Sequence, residues 1–173
     1  DGKTAGLLIR VEELTDDLSM VRLYHTSVTR ANASWVGWSE PGFTGDFAEY
    51  IAQTFPTSMA ADFAVLEAGI VSEETYVEQG LYWETGHHPI IRYVINKYKP
   101  DLAMIGYPIT DELQHQFLGL IVPNLPNGDP SPAFDDVQVN GTPDGRVNER
   151  TNFIKRAYQG ADATLGLVGS LID

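Results

Sequence analysis

The chain contains no cysteine. That excludes disulfides and thiolate metal sites and leaves histidine and carboxylate as the protein ligands for a zinc-like ion. Positive charge is scarce: 11 Lys and Arg stand against 24 Asp and Glu, a formal charge of −13. Binding a nucleic-acid duplex needs a basic stripe along the backbone, so no direct duplex partner is expected. A small phosphate-bearing molecule stays admissible, because bound cations reverse the local sign of an acidic site. No apolar run has the length of a transmembrane helix, so no membrane span is expected. The opening Asp1-Gly2-Lys3-Thr4 is neither an initiator methionine nor a signal peptide and reads as a processed boundary. Asn32 and Asn140 match the glycosylation sequon, a pattern too common to carry weight, so the compartment stays open, a secreted or extracytoplasmic one included.

What is present is a globular composition, 173 residues with 43% apolar and 10% aromatic, enough for one domain or slightly more. Gly6 to Val11 and Met20 to Val28 are β-branched runs either side of Thr15-Asp16-Asp17, which predicts an antiparallel hairpin. Alternation of Val21, Leu23 and His25 with Arg22 and Tyr24 predicts one covered and one wet face. His25 reads as a solvated or cross-strand residue rather than a ligand. Trp35 and Trp38 lie in a Gly- and Pro-bearing loop, as edge plugs or as a stacking platform together with Tyr82. Asp46 opens a helical pattern through Phe47, Tyr50, Ile51 and Phe55, and Ser58 to Ile70 is a short helix or an apolar crossing that stops at Gly69. Ser72 offers a cap for a helix. After His87-His88, Pro89 starts an amphipathic helix through Ile90, Ile91, Val94, Ile95 and Tyr98, predicted to pack on a sheet. Neighbouring residues point apart, so the His pair is a poor chelate.

The most informative stretch runs from Pro100 to Gly119. Leu102 to Tyr107 is a six-residue apolar run between prolines, the length of a strand buried on both faces, followed by a polar turn into a helix. In open α/β sheets ligands sit beyond the carboxyl ends of the strands, and Asp111 and His115 are the first metal-competent side chains past this end. At i, i+4 on a helix they share a face and can hold one cation. The same residues also fit a helix start, with Asp111 as the cap, Gln114 reaching back and His115 inert. Val122 to Gly145 is a proline-rich surface loop in which Asp129, Asp135, Asp136 and Asp144 are solvated or offer oxygens to calcium. Asn148 or Thr151 opens a last helix with Phe153, Ile154, Ala157, Ala161, Leu165, Val168 and Ile172 as its covered stripe.

An apolar strand ending in an aromatic residue, then Asp-x-x-x-His and a Gly four residues on, resembles the type I phosphodiesterase / nucleotide pyrophosphatase family of the alkaline phosphatase superfamily. Tyr158, Asp162 and Leu165 extend the match. The resemblance implies an α/β fold, a partial alkaline-phosphatase-like sandwich with a parallel strand flanked by helices, here behind an N-terminal antiparallel hairpin. Residues 1–85 would be an accessory region and 86–173 part of the core. It implies Asp111 and His115 as ligands of one of two Zn2+ ions, and a phosphate ester or nucleotide as substrate. The family's Thr or Ser nucleophile and its Asp-His-Gly pair are not identifiable here. Thr54-Phe55-Pro56-Thr57-Ser58 lacks the residues that follow the family nucleophile. The expectation is therefore an internal piece of a larger hydrolase, inactive alone and completed by the remainder of its parent chain. Phosphonate or sulfate ester hydrolysis is the alternative within the superfamily. A non-catalytic binding module using Trp35 and Trp38 is the alternative outside it.

Overall fold

The computed structural model describes residues 5–55, 62, 64–135 and 137–172. The chain forms two compact units, Asp1–Pro100 and Asp101–Asp173. The division expected after residue 85 falls within the first of these units.

In the first unit β1 (Ile9–Leu14) and β2 (Val21–His25) form the expected antiparallel hairpin, with Val11 opposite Leu23 and a bulge before Glu13. Its covered face is the reverse of the expected one. Tyr24 is buried, whereas Ile9, Val11, Leu14, Val21 and Leu23 are all more than half exposed. The reason is α3 (Glu73–Gly86), which presents polar partners to the Arg10/Tyr24 side. Tyr24 Oη donates to Gln79 Oε1 at 2.9 Å, Thr75 Oγ1 donates to Glu12 Oε1 at 2.7 Å, and Arg10 pairs with Glu78. Satisfied polar groups outweigh aliphatic burial here because a buried unpaired hydroxyl or carboxylate costs more than a half-exposed valine.

The other helices start where the sequence provides caps. Asp46 and Glu49 form a capping box for α1 (Phe47–Thr54), and Ser72 accepts from Thr75 N for α3. The ambiguous segment after Ser58 contains a one-turn α2 (Ala64–Glu67), ended by Gly69 at φ +66°; Ser58 to Ala61 lie outside the described residues. Helix α4 (His88–Tyr98) carries Pro89 in its first turn as expected. It packs on aromatics rather than on a sheet. Trp35, Trp38, Phe43, Phe47, Tyr50 and Phe55 gather against Tyr93 and Tyr98, with ring centroids 4.5–6.5 Å apart. A polar chain threads this cluster: Trp38 Nε1 donates to Tyr98 Oη at 2.6 Å, Tyr98 and Tyr93 share a hydrogen bond of 2.9 Å, and Tyr93 Oη donates to Glu40 Oε2 at 2.8 Å. Lys97 also pairs with Glu40.

Hydrogen bonds from Lys97 and then Tyr93 hold the Glu40 carboxyl below its ordinary value of 4.5. A depressed acid stabilises the fold above its unfolded value and loses that contribution as pH falls through the lower folded one. Thermal melts between about pH 6 and pH 3 should therefore show a decline below about pH 4.5 that Glu40→Gln shrinks. Equal slopes in the two proteins would show that Glu40 contributes nothing.

The second unit is built on α5 (Ile109–Ile121) and α6 (Arg146–Ile172). Ile109, Leu113 and Phe117, at i, i+4 and i+8, are fully buried with Phe153 and Ala157, and the Phe117 and Phe153 rings lie 5.5 Å apart. The covered stripe of α6 then runs through Thr164 and Leu167, while Leu165 and Ile172 are 71% exposed, contrary to expectation. Between the helices stands a two-residue hairpin, β3 (Gln138–Val139) and β4 (Thr142–Pro143), turning through Asn140 and Gly141, both at positive φ.

The parallel strand expected over Leu102 to Tyr107 is not formed: these residues are irregular, with Leu102 78% and Met104 91% exposed. A strand exists only through partners that take its backbone hydrogen bonds. Both sheets among the described residues are two-stranded antiparallel hairpins closed on their own neighbours. What holds of the expected architecture is the coarser description, a mixed α/β chain with an N-terminal hairpin and several helices.

Candidate metal centre

Helix α5 positions the Asp111 and His115 side chains. Pro108 stands at its N-cap without a side-chain cap, and Asp111 lies within the first turn, where a carboxylate complements the helix dipole. Because Ile109, Leu113 and Phe117 claim the inner stripe, Asp111 and His115 fall on the outer face. Their side chains are 72% and 78% exposed, with Asp111 Oδ1 3.4 Å from His115 Nε2. The capping alternative fails at both residues. Asp111 is past the cap position, and Gln114 Nε2 donates to Thr110 O at 2.9 Å instead of reaching back to the helix start.

The pair borders an open cleft of about 580 Å3 whose far wall is the loop after α5, through Asn124, Leu125 and Ser131. That loop is held by its own backbone bonds. Leu125 N donates to Asp129 O at 2.7 Å, Ser131 N to Pro123 O at 2.8 Å, and Asp135 N returns to Leu120 O at 3.1 Å. Asp135 pairs with the buried Arg150, Asp129 accepts from Asn127 Nδ2, and Asp144 Oδ1 accepts from Arg146 N. These three carboxylates are used structurally and do not converge as a calcium site; Asp136 lies outside the described residues.

The donor chemistry of the pair suits zinc. Two ligands of one tetrahedral zinc, each at about 2.0–2.1 Å, stand roughly 3.3–3.4 Å apart, the separation seen here. Only half of a four-ligand site is supplied, since among the described residues no group of three or more His, Asp or Glu side chains is placed to hold a metal. Comparison with protein-family models, with curated proteins and with solved structures returns no match.

The remaining histidines are engaged elsewhere. His87 Nδ1 bonds Trp83 O at 2.9 Å, and burial, with Arg92 and His87 close by, lowers the His88 imidazole below its ordinary value. His25 stands opposite Ile9 across the hairpin, and its Nδ1 bonds Thr26 O. Trp35 and Trp38 do not form a platform with Tyr82. Their rings pack on Phe47, Tyr98, Phe43 and Tyr50, and Tyr82 lines a different cavity on α3. That cavity had no signal in the sequence, because it arises from hairpin and helix residues far apart along the chain.

Gly119, the last motif residue, borders the cleft. A Cβ there would meet Ala133 Cβ at 3.6 Å, an ordinary contact. Gly119→Ala should therefore stabilise α5 by about 0.5–1 kcal/mol through helix propensity, read as a higher urea midpoint at unchanged slope. A lower midpoint would mean that the turn after α5 needs the glycine.

Proposed function

We propose that this chain is part of a zinc-dependent phosphoric ester hydrolase of the alkaline phosphatase superfamily, in which Asp111 and His115 are two ligands of one metal ion. The observation that carries the reading is their 3.4 Å separation on the exposed face of α5, open to a cleft. An ordinary surface ion pair is the competing account of that distance, worth about 0–1 kcal/mol and needing no cleft. Bound there, zinc would supply a Lewis acid and lower the pKa of a coordinated water. The chain's own residues place a carboxylate and an imidazole on a rigid helix whose opposite face is locked into the core, which fixes their spacing.

The finer architecture belongs to the same proposal. An exposed apolar run leading directly into the metal helix is what a sheet strand looks like without its neighbours, and Leu102 to Tyr107 would pair with strands of the parent sheet. The exposed Tyr158 and Leu165 on α6 would be covered in that assembly. The nucleophile and remaining ligands would come from the rest of the parent chain, so this chain alone is inactive and its substrate is a phosphate ester or nucleotide.

The test is a zinc titration of the whole chain followed by the His115 imidazole resonances and by calorimetry. Wild type should bind one zinc weakly, and His115→Ala should lose about tenfold or more in affinity. Both side chains are largely exposed, so the variant folds. Indistinguishable wild-type and His115→Ala titrations would leave only the ion pair.

A further inference from the structure

A cavity of about 310 Å3 lies between the hairpin and α3, within the range of small-ligand pockets. Its inner polar groups are already used. Gln79 Oε1 accepts from Tyr24 Oη and from Asp62 N, and Gln79 Nε2 donates to Asp62 O at 2.7 Å. Thr75 Oγ1 donates to Glu12, and Thr26 Oγ1 accepts from Leu8 N at 3.0 Å. Gln79, Thr75 and Thr26 are each more than nine-tenths buried. The apolar lining that remains for a ligand is Leu8, Ile9, Val11 and the tyrosine rings, with Ile9, Val11 and Tyr82 more than half exposed at its open side. The body of whatever binds there is mainly apolar, because the buried polar groups are already engaged with one another and the rest of the lining is aliphatic and aromatic.

The surroundings are negative. Arg10 is the one cation beside the cavity among the described residues, and it is divided between Glu78 and Glu12, whose Oε1 lies 3.6 Å from Arg10 Nε. Gln79 holds the Asp62 backbone, which brings a third carboxylate close enough for its charge to act on Tyr24. The Tyr24 hydroxyl senses this field: burial raises its pKa first, and the Asp62 charge raises it further, with Glu12 adding to the effect. Tyr82, 59% exposed, offers a ring face at the cavity wall.

We propose that the cavity between the hairpin and α3 binds a small organic cation, an amine with an apolar body, with the body against Leu8, Ile9 and Val11 and the charge beside Glu78 and Tyr82. The site is independent of the metal pair in the second unit and stands or falls separately from it. The overall charge of −13 favours cation encounter over anion encounter at the same cavity.

Three probes of one shape test it on the whole chain: 2-phenylethylamine, 2-phenylethanol and 3-phenylpropionate, by calorimetry and amide chemical shifts. The amine should bind saturably, about tenfold tighter than the alcohol, the size of one partly desolvated cation–π contact or carboxylate pairing. Shifts should concentrate at 8–11, 24–26 and 75–82. Glu78→Gln, on a half-exposed side chain, should narrow the amine's advantage severalfold and leave the alcohol unchanged, and Tyr82→Leu should weaken the amine more than the alcohol. The proposal is overturned if the alcohol or the carboxylate binds as tightly as the amine, if shifts fall elsewhere, if Glu78→Gln has no effect, or if the amine shows no saturable binding.

Discussion

Phe117→Ala is expected to destabilise the second unit by about 3–5 kcal/mol. The ring is fully buried, 5.5 Å from Phe153, in a layer whose other members, Ile109, Leu113 and Ala157, are also fully buried. Truncation removes the transfer free energy of a phenyl ring and leaves a cavity that two helices of fixed spacing cannot close. Leu118, one residue on and 44% exposed, is the control, and Leu118→Ala should cost under about 1 kcal/mol. Amide exchange in urea gives the readout, because it reports on α5 and α6 residue by residue, whereas the three tryptophans lie in the first unit. Protection across α5 and α6 should collapse together in Phe117→Ala. A loss no larger than that of Leu118→Ala would refute the described packing. Since α5 carries Asp111 and His115, zinc affinity should fall in the same variant.

Arg150→Met should cost about 3 kcal/mol, near the lower end for breaking a buried ion pair. The Arg150 side chain is 9% exposed and its partner Asp135 is 28% exposed, so removing the guanidinium strands a carboxylate that water reaches only in part. Asp135 is also tied by its backbone to Leu120, which makes this pair the link between α6 and the end of the loop that walls the cleft. Two consequences separate charge from packing. The double variant Arg150→Met/Asp135→Asn should be more stable than Arg150→Met alone, because no charge is left unpaired. Exchange in residues 122–135 should also rise in the single variant before α5 is affected. If the double variant is the less stable of the two, the pair is not what holds the loop.

Local chemistry was legible wherever a few adjacent residues settle the outcome. Asp46, Ser72, Pro89 and Gly69 mark helix ends because such residues satisfy or stop the backbone within one turn, whatever else the chain does. The hairpin and the i, i+4 placement of Asp111 and His115 were legible for the same reason, as spacing on a regular element is fixed by its period. The covered face of the hairpin was misread because alternation shows that two faces differ and does not say which one meets a partner. Gln79, Thr75 and Glu78 decide that, and they lie fifty or more residues from β1 and β2. The α6 stripe failed at Leu165 and Ile172 for a related reason, since a long helix drifts from any simple spacing and the buried side follows what packs on it.

The sequence by itself determined the starts of α1, α3 and α4, the hairpin, the absence of thiolate ligands and the pairing of a carboxylate with an imidazole on one helical face, whereas α5 starts from Pro108 and α6 from Arg146 instead of the expected Asp111 cap and Asn148 or Thr151. Tertiary structure alone decided that this pair opens onto a cleft, that Trp35 and Trp38 pack into an aromatic cluster, and that Leu102 to Tyr107 are irregular rather than a strand. The division follows from range. Caps and periodicity are satisfied within one turn or one strand, whereas a sheet, a cavity or a buried ion pair needs residues that only the folded chain brings together.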